Sequence, residues 1–176
     1  HASLAPSKMC IRDRYKVLCV CLGNICRSPT AEVVLRHYCD EQQLNIVVDS
    51  AGTSNYHPGK APDLRSQQHA LKRGYDLSAL RARQLIPHDF IDYDLILAMD
   101  LENLSNIQNI QRLAETQFGH VRARVALMSE HDQTYPKQAL PDPYYGEADG
   151  FERVLDQCES SSQAWIEIFK QNLHKV

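Results

Sequence analysis

Four short apolar segments, separated by helical patterns, are the feature that most constrains the fold of this chain of 176 residues. They cover residues 16–21, 46–49, 94–99 and 124–128. Each segment is continuously apolar rather than alternating in polarity, which is typical of parallel strands covered on both faces. We therefore predict an α/β fold with a four-stranded parallel sheet, right-handed crossovers and flanking helices.

Apolar residues at helical spacing lie between and after these segments. The first stripe covers residues 31–38, and Pro29 is well suited to the first turn of that helix. Asp63 is a candidate cap for a second helix through Lys72, which Gly74 would end. Two further stripes cover residues 104–114 and 151–168.

Length and composition predict one soluble domain. We assign residues 1–14 to an N-terminal tail, with Met9 as a candidate start, and residues 15–176 to a single domain. No apolar run approaches the roughly 20 residues of a membrane helix, and residues 1–8 lack the apolar segment of a secretory signal. These observations predict a cytoplasmic protein without a membrane partner.

Charge and cysteine usage narrow the possible partners further. Nineteen Lys and Arg residues stand against 22 Asp and Glu, a net charge of −3, so we expect no nucleic-acid partner. The six cysteines contain no C-x-x-C pair, and the eight histidines are scattered, so we predict no metal site. The cysteines also lie within apolar elements, which favours a reducing compartment over a disulfide framework.

The loop after the first segment carries the strongest chemical signal. Cys21 ends the segment, and the loop leads into a helix N-terminus, where backbone amides form an anion site. Such an environment lowers a cysteine pKa from about 8.5 to about 3.5–7.5, which makes a thiolate nucleophile. The fork of Arg27 matches two phosphate oxygens. Gly23 permits a tight or left-handed turn, Asn24 tolerates one and can brace the loop, and the Ser28 hydroxyl can donate to the thiolate.

The spacing of Cys21 and Arg27, with five residues between them, is a weak signal by itself. About 0.4 such pairs are expected by chance at this composition, and most cysteines are buried structural residues. We assign that structural role to Cys10, Cys19, Cys39 and Cys158. For Cys26, a small apolar filler and a reversible disulfide with Cys21 are equally good interpretations. Cys21 ends a predicted strand and is followed by a loop that leads into a helix. This setting favours Cys21 as a nucleophile.

Two motifs resemble those of one family. Cys21-Leu-Gly-Asn-Ile-Cys-Arg-Ser-Pro29 is similar to the phosphate-binding loop of the low-molecular-weight protein tyrosine phosphatases. Leu140-Pro-Asp-Pro-Tyr-Tyr-Gly146 resembles the general-acid loop of the same family. The similarity covers residues 16–169. It implies a sheet with strand order 2-1-3-4, and hydrolysis without a metal or other cofactor.

The resemblance assigns roles to individual residues. It implies Cys21 as nucleophile, Arg27 as phosphate clamp and Asp142 as general acid, with Tyr56 as a wall beside the substrate ring. The implied substrate- and phosphate-binding residues are Leu22, Gly23, Asn24, Ile25, Cys26, Ser28, Tyr56, Tyr144 and Tyr145. We interpret Asp100 as a structural support of the site.

One position departs from the family pattern. Some members carry a histidine soon after the serine that matches Ser78, and this histidine is linked to the loop asparagine. No histidine follows Ser78 before Gln84 in this chain. We expect Ser78 or Arg81 to replace that contact to Asn24.

The resemblance implies hydrolysis of phosphotyrosine and small aryl phosphates through a cysteinyl-phosphate. Expected partners are a phosphotyrosine protein and oxyanions such as inorganic phosphate, with the chain a monomer or weak dimer. A protein arginine phosphatase is the alternative, although that loop carries threonine where Ile25 stands. An arsenate reductase of the same fold would need two further cysteines, and residues 40–157 contain none. A dinucleotide-binding protein would need further glycines beside Gly23.

Overall fold

The computed structural model of the chain describes residues 14–144, 146 and 148–173. The expected tail therefore lies outside the described residues except for Arg14, and so does Tyr145. The strands are β1 (Tyr15–Cys21), β2 (Ile46–Gly52), β3 (Leu95–Ala98) and β4 (Arg124–Leu127). They form one parallel sheet in the order β2-β1-β3-β4, which confirms the predicted α/β architecture.

The central strand β1 fixes the position of the first loop. Val17 and Leu18 are fully buried on opposite faces of the sheet, as expected for a strand covered on both sides. β2 is three residues longer than predicted, because Ser50 and Gly52 pair with Cys19 and Cys21. Strand pairing thus continues to Cys21, the last residue before the loop.

In the part of the chain that the structure describes, five helices flank the sheet. They are α1 (Arg27–Glu41), α2 (Leu64–Lys72), α3 (Asp89–Asp92), α4 (Leu101–Phe118) and α5 (Ala148–Leu173). α1, α2 and α5 contribute to the core on one face, and α4 packs against the other face with Phe90 of α3. α3, at four residues, is too short to show helical periodicity and was not predicted. Among the described residues, none of the helices combines the length and the apolar character that crossing a membrane requires.

Polar side chains set the helix starts near the loop. Asp63 caps α2, accepting from Arg65 N at 2.9 Å and Ser66 N at 3.3 Å, and Gly74 follows that helix with φ +87°. Asp100 caps α4, accepting from Asn103 N at 2.6 Å. Cys26, at the start of α1, makes no side-chain cap hydrogen bond. The first amides of α1 are therefore available to an anion.

Candidate active site

The loops that follow the strands meet at the carboxyl edge of the sheet, where open α/β folds bind ligands. One pocket there is formed by residues from three loops. Its lining residues are Cys21, Leu22, Gly23, Ile25, Cys26, Arg27, Tyr56, His57, Asp142 and Tyr144. Nine of these ten are residues that the sequence singled out, and His57 is the exception. Asn24, in the same loop as Cys21, and Ser28, in the first turn of α1, do not line the pocket.

The thiol of Cys21 lies at the base of the pocket and is held by two neighbours. Its Sγ is 3.0 Å from the Ser28 hydroxyl and accepts a hydrogen bond from Asn24 N at 3.3 Å. The residue is only 3% exposed, although it lines the pocket. The sulfur is therefore reached only through the pocket and is oriented by the loop that surrounds it.

Asn24 braces the loop from behind. It takes the left-handed conformation, with φ +57°, which the sequence analysis allowed at both Gly23 and Asn24. Its Nδ2 donates to Ser28 Oγ at 2.8 Å and to Ser50 Oγ at 2.9 Å. Its Oδ1 accepts from the backbone N–H of Arg83 at 3.0 Å. Both polar atoms of this buried side chain are thus used, in three hydrogen bonds, to fix one loop conformation.

The expectation that Ser78 or Arg81 contacts Asn24 is wrong. Ser78 N donates instead to Asp76, and the Arg81 guanidinium donates to the carbonyls of Ser78 and Leu80. Arg83 takes the place because its segment pairs with the end of β2: Gly52 N donates to Arg83 O at 2.8 Å. A backbone donor fills the position, so no particular side chain is required there.

Two further contacts behind the loop were not foreseen from the sequence. The Ser50 hydroxyl, which accepts from Asn24, donates to Glu32 Oε1 at 2.7 Å. Burial raises the pKa of Glu32 even though Ser50 and Arg36 oppose that shift. Gly52 allows the loop to lie close to β2, since a Cβ at this position would be 2.7 Å from Leu22 O.

Arg27 faces the pocket from the first residue of α1. Its Nη1 donates to Asp100 Oδ2 at 2.5 Å and to Leu140 O at 3.3 Å, and its Nη2 lies 3.7 Å from Asp142 Oδ2. Burial alone would lower the pKa of Arg27, but the neighbouring Cys21, Asp100 and Asp142 outweigh it and raise that pKa. The guanidinium therefore stays charged, and Asp100 supports it as expected.

Asp142 is the acidic residue that lines the pocket. Its side chain is 48% exposed, and its Oδ1 accepts from Tyr144 N at 3.1 Å, so the two prolines beside it enclose a tight turn. Two other aspartates have different partners: Asp89 accepts from Ile86 N and pairs with Arg83, and Asp94 accepts from Lys16 N.

Aromatic rings form the mouth of the pocket. Tyr56 is 71% exposed, and its ring centroid lies 6.5 Å from that of His57. The ring of His57 in turn lies 6.4 Å from that of Tyr144. The sequence analysis did not single out His57, because a single histidine in a loop carries no positional signal. The pocket is thus charged at its base and aromatic at its rim.

Four further cysteines lie among the described residues, and all four are buried. Burial raises the pKa of Cys26 and of Cys39 to about 12 each. Burial also raises the pKa of Cys19 and Cys158. These four side chains therefore remain neutral thiols at neutral pH, which agrees with the structural role predicted for Cys19, Cys39 and Cys158.

Comparison with known proteins finds one family over nearly the whole chain. The profile described as low molecular weight phosphotyrosine protein phosphatase matches residues 16–175. The Homo sapiens low molecular weight phosphotyrosine protein phosphatase is 40% identical over 155 residues, covering 86% of this chain and 93% of its own.

Solved structures agree with that match. A protein tyrosine phosphatase from Entamoeba histolytica superposes with a TM-score of 0.80 at 32% identity, covering 90% of this chain and 99% of its own. A Drosophila arginine phosphatase superposes with a TM-score of 0.81 at 30% identity, covering 89% and 99%. The fold is therefore shared by phosphatases whose described substrates differ.

Proposed function

The chain belongs to the low molecular weight phosphotyrosine protein phosphatase family and hydrolyses phosphotyrosine, and we propose that Cys21, Arg27 and Asp142 carry out this reaction. The observation that carries the proposal is their convergence. A cysteine sulfur and a charged guanidinium from the two ends of one loop, and a carboxyl group from a loop more than 100 residues away, line one pocket. These are the nucleophile, the anion clamp and the proton donor that a phosphate ester needs.

The first step transfers the phosphoryl group to sulfur. The Cys21 thiolate attacks phosphorus in line with the ester oxygen, so an S–P bond forms while the P–O bond to the phenol breaks. Arg27 and the amides of residues 22–27 stabilise the charge on the three equatorial oxygens. Asp142 gives its proton to the departing phenolate oxygen. Because these groups supply the positive charge, the proposed step uses no metal.

The second step releases inorganic phosphate. Water attacks phosphorus, Asp142 accepts a proton from that water, and the S–P bond breaks to regenerate the Cys21 thiolate. The Ser28 hydroxyl assists here. Its oxygen accepts from Asn24 Nδ2, and its hydrogen has two acceptors within reach, the sulfur at 3.0 Å and Ala51 O at 3.4 Å; we propose that it donates to the nearer sulfur. A donor to sulfur stabilises the thiolate as it leaves.

The rim favours an aromatic ester. Leu22 and Ile25 provide apolar surface beside the sulfur, and Tyr56 and Tyr144 flank the entrance. Aromatic rings beside the entrance can contact a phenol ring in edge-to-face or offset arrangements. A phosphotyrosine peptide should therefore be cleaved faster than phosphoserine or phosphoarginine peptides of the same sequence. The reverse order for phosphoarginine would favour the arginine phosphatase alternative and contradict our interpretation of Ile25.

The remaining assignments extend the same proposal. The substrate is a phosphotyrosine-containing protein, and inorganic phosphate and similar oxyanions compete for the same pocket. We propose that residues 15–176 form one domain, which acts in the cytoplasm as a monomer or weak dimer. The family match over residues 16–175 supports the single domain.

The role of Asp142 can be measured directly. We expect Asp142→Asn to lower kcat for a phosphotyrosine peptide by about 10²–10⁴-fold, because proton transfer to the phenolate is lost while the amide keeps the shape. Steady-state kinetics measure the effect. Asp149→Asn is the matched control, since that carboxylate is exposed on α5 and pairs with Arg153. Equal activity of Asp142→Asn and the wild-type protein would remove Asp142 from the mechanism.

A further inference from the structure

The first turn of α2 contacts both loops that the reaction needs. Asp63 N donates to Ile25 O at 2.8 Å, which ties the turn to the phosphate-binding loop. Two residues later, Arg65 Nη2 donates to Tyr144 O at 2.8 Å, which ties the same turn to the loop of Asp142. One short segment therefore spans the distance between nucleophile and acid.

The Arg65 guanidinium is held on several sides. Its Nε and Nη2 pair with the two carboxylate oxygens of Asp63 at 3.2 and 3.0 Å. Its central carbon lies 5.0 Å from the ring centroid of Phe151 on α5 and 5.8 Å from that of Tyr144. A planar fork that pairs with a carboxylate along one edge and lies near two rings has little freedom to reorient.

The pair stays charged over the working range of pH. The hydrogen bond that Arg65 donates to the Asp63 carboxylate raises the pKa of Arg65. Partial burial alone would raise the pKa of Asp63, but the hydrogen bonds from Arg65 and from the amides of Arg65 and Ser66 lower it overall. Neither partner changes its charge near neutral pH, so the geometry does not depend on a titration.

The backbone of Tyr144 connects Arg65 to Asp142. The carbonyl of Tyr144 accepts from Arg65, while the N–H of Tyr144 donates to Asp142 Oδ1. A displacement of the Tyr144 backbone therefore displaces the carboxyl group. Asp142 itself is 48% exposed; apart from the ion pair with Arg27 at 3.7 Å, its carboxyl group is held by the hydrogen bond from Tyr144 N, so its position depends on the Tyr144 backbone.

We propose that Arg65 is a positioning residue that fixes the Asp142 carboxyl relative to the Cys21 sulfur. The inference rests on the proposed role of Asp142 as proton donor. Arg65 does not line the pocket, so it acts on the reaction through its neighbours, and its direct hydrogen bond to the site is the one to Tyr144 O in the acid loop. Proton transfer is sensitive to small displacements, and an error near 1 Å can cost about 10²-fold.

The test compares leaving groups. 4-Nitrophenolate is stable enough to depart without a proton, whereas the phenolate of phenyl phosphate needs one. The parameter kcat/KM covers the steps up to formation of the cysteinyl-phosphate. The ratio of kcat/KM for phenyl phosphate to that for 4-nitrophenyl phosphate therefore reports on proton donation. We expect Arg65→Ala to lower kcat/KM for phenyl phosphate by about 10–100-fold and to change that for 4-nitrophenyl phosphate by less than about 3-fold.

Three further variants complete the experiment. Arg65→Lys keeps the charge but not the fork, and we expect an intermediate ratio. Arg65→Ala combined with Asp142→Asn should be no slower than Asp142→Asn alone, because the two act as one unit. Arg153→Ala is the matched control: this arginine lies nearby on α5, is exposed, and pairs only with Asp149 among the described residues. Its ratio should equal that of the wild-type protein.

Two results would overturn the proposal, and they are distinguishable. Equal loss on both substrates in Arg65→Ala, or additive losses in the double variant, would show that Arg65 supports the fold or substrate binding and not proton donation. An unchanged ratio in Asp142→Asn would show that Asp142 is not the acid, and the role of Arg65 would fall with it. Thermal unfolding of each variant separates both results from loss of structure.

Discussion

Replacing Cys21 with serine is expected to lower phosphotyrosine hydrolysis by at least about 10⁴-fold, the scale on which loss of a nucleophile usually acts. A hydroxyl is far less acidic than a thiol, so the variant lacks a ready anion. The contacts of Cys21 Sγ are the Ser28 hydroxyl and Asn24 N, and neither is a base that would activate serine. Phosphate release from a phosphotyrosine peptide in EDTA measures the effect.

The control for this experiment is Cys39→Ser. Cys39 is fully buried in α1, and burial raises its pKa to about 12, so its substitution should change stability without a comparable loss of activity. Cys21→Ser itself should keep its fold, because oxygen replaces sulfur within the same hydrogen bonds. Activity of Cys21→Ser close to that of the wild-type protein would contradict the assignment of the nucleophile.

Arg27→Ala should have the next largest effect, a loss between about 10³- and 10⁵-fold in kcat/KM, comparable to the loss of an arginine that stabilises a phosphoryl transition state. The guanidinium is held by Asp100 and Leu140 O and faces the pocket, so it is oriented before substrate binds. Preorganised charge acts most strongly in the transition state, and the loss should therefore fall mainly in kcat.

Arg27→Lys and Arg122→Ala complete that comparison. Lysine keeps the charge but binds only one oxygen at a time, so it should recover part of the lost activity. Arg122 is exposed and lies 3.7 Å from Asp94, away from the residues that line the pocket, so its loss should leave the kinetics unchanged. Full activity of Arg27→Ala would show that the backbone amides alone hold the phosphate.

Much of the fold was predictable from local patterns. Continuous apolar segments and helical stripes predicted the four strands and four of the five helices, because burial of both sheet faces leaves a strong signal in the sequence. Asp63 and Gly74 correctly predicted the ends of α2, since caps act within a few residues. The end of β2 was predicted too early, because Ser50 and Gly52 are typical of turns.

Several other contacts that support the site were not predictable in the same way, although the supporting roles of Asp100 and Ser28 were predicted. Asn24 is braced by the backbone N–H of Arg83, 59 residues away, and a backbone donor has no signature in residue type. Arg65 reaches Tyr144 O across 79 residues, and only the folded arrangement of α2 and α5 brings them together. His57 lies at the rim because its side chain packs beside Gly23. Nothing in the sequence indicates a contact between these two residues.

The most direct test of the mechanism is to trap the covalent intermediate. The wild-type protein is mixed with a phosphotyrosine peptide in EDTA, quenched within the first turnover and mapped by mass spectrometry. Our account predicts one phosphoryl group on the peptide that contains Cys21, and none in Cys21→Ser. A phosphoryl group on a different residue, or complete turnover without any phosphorylated protein, would contradict the cysteinyl-phosphate mechanism.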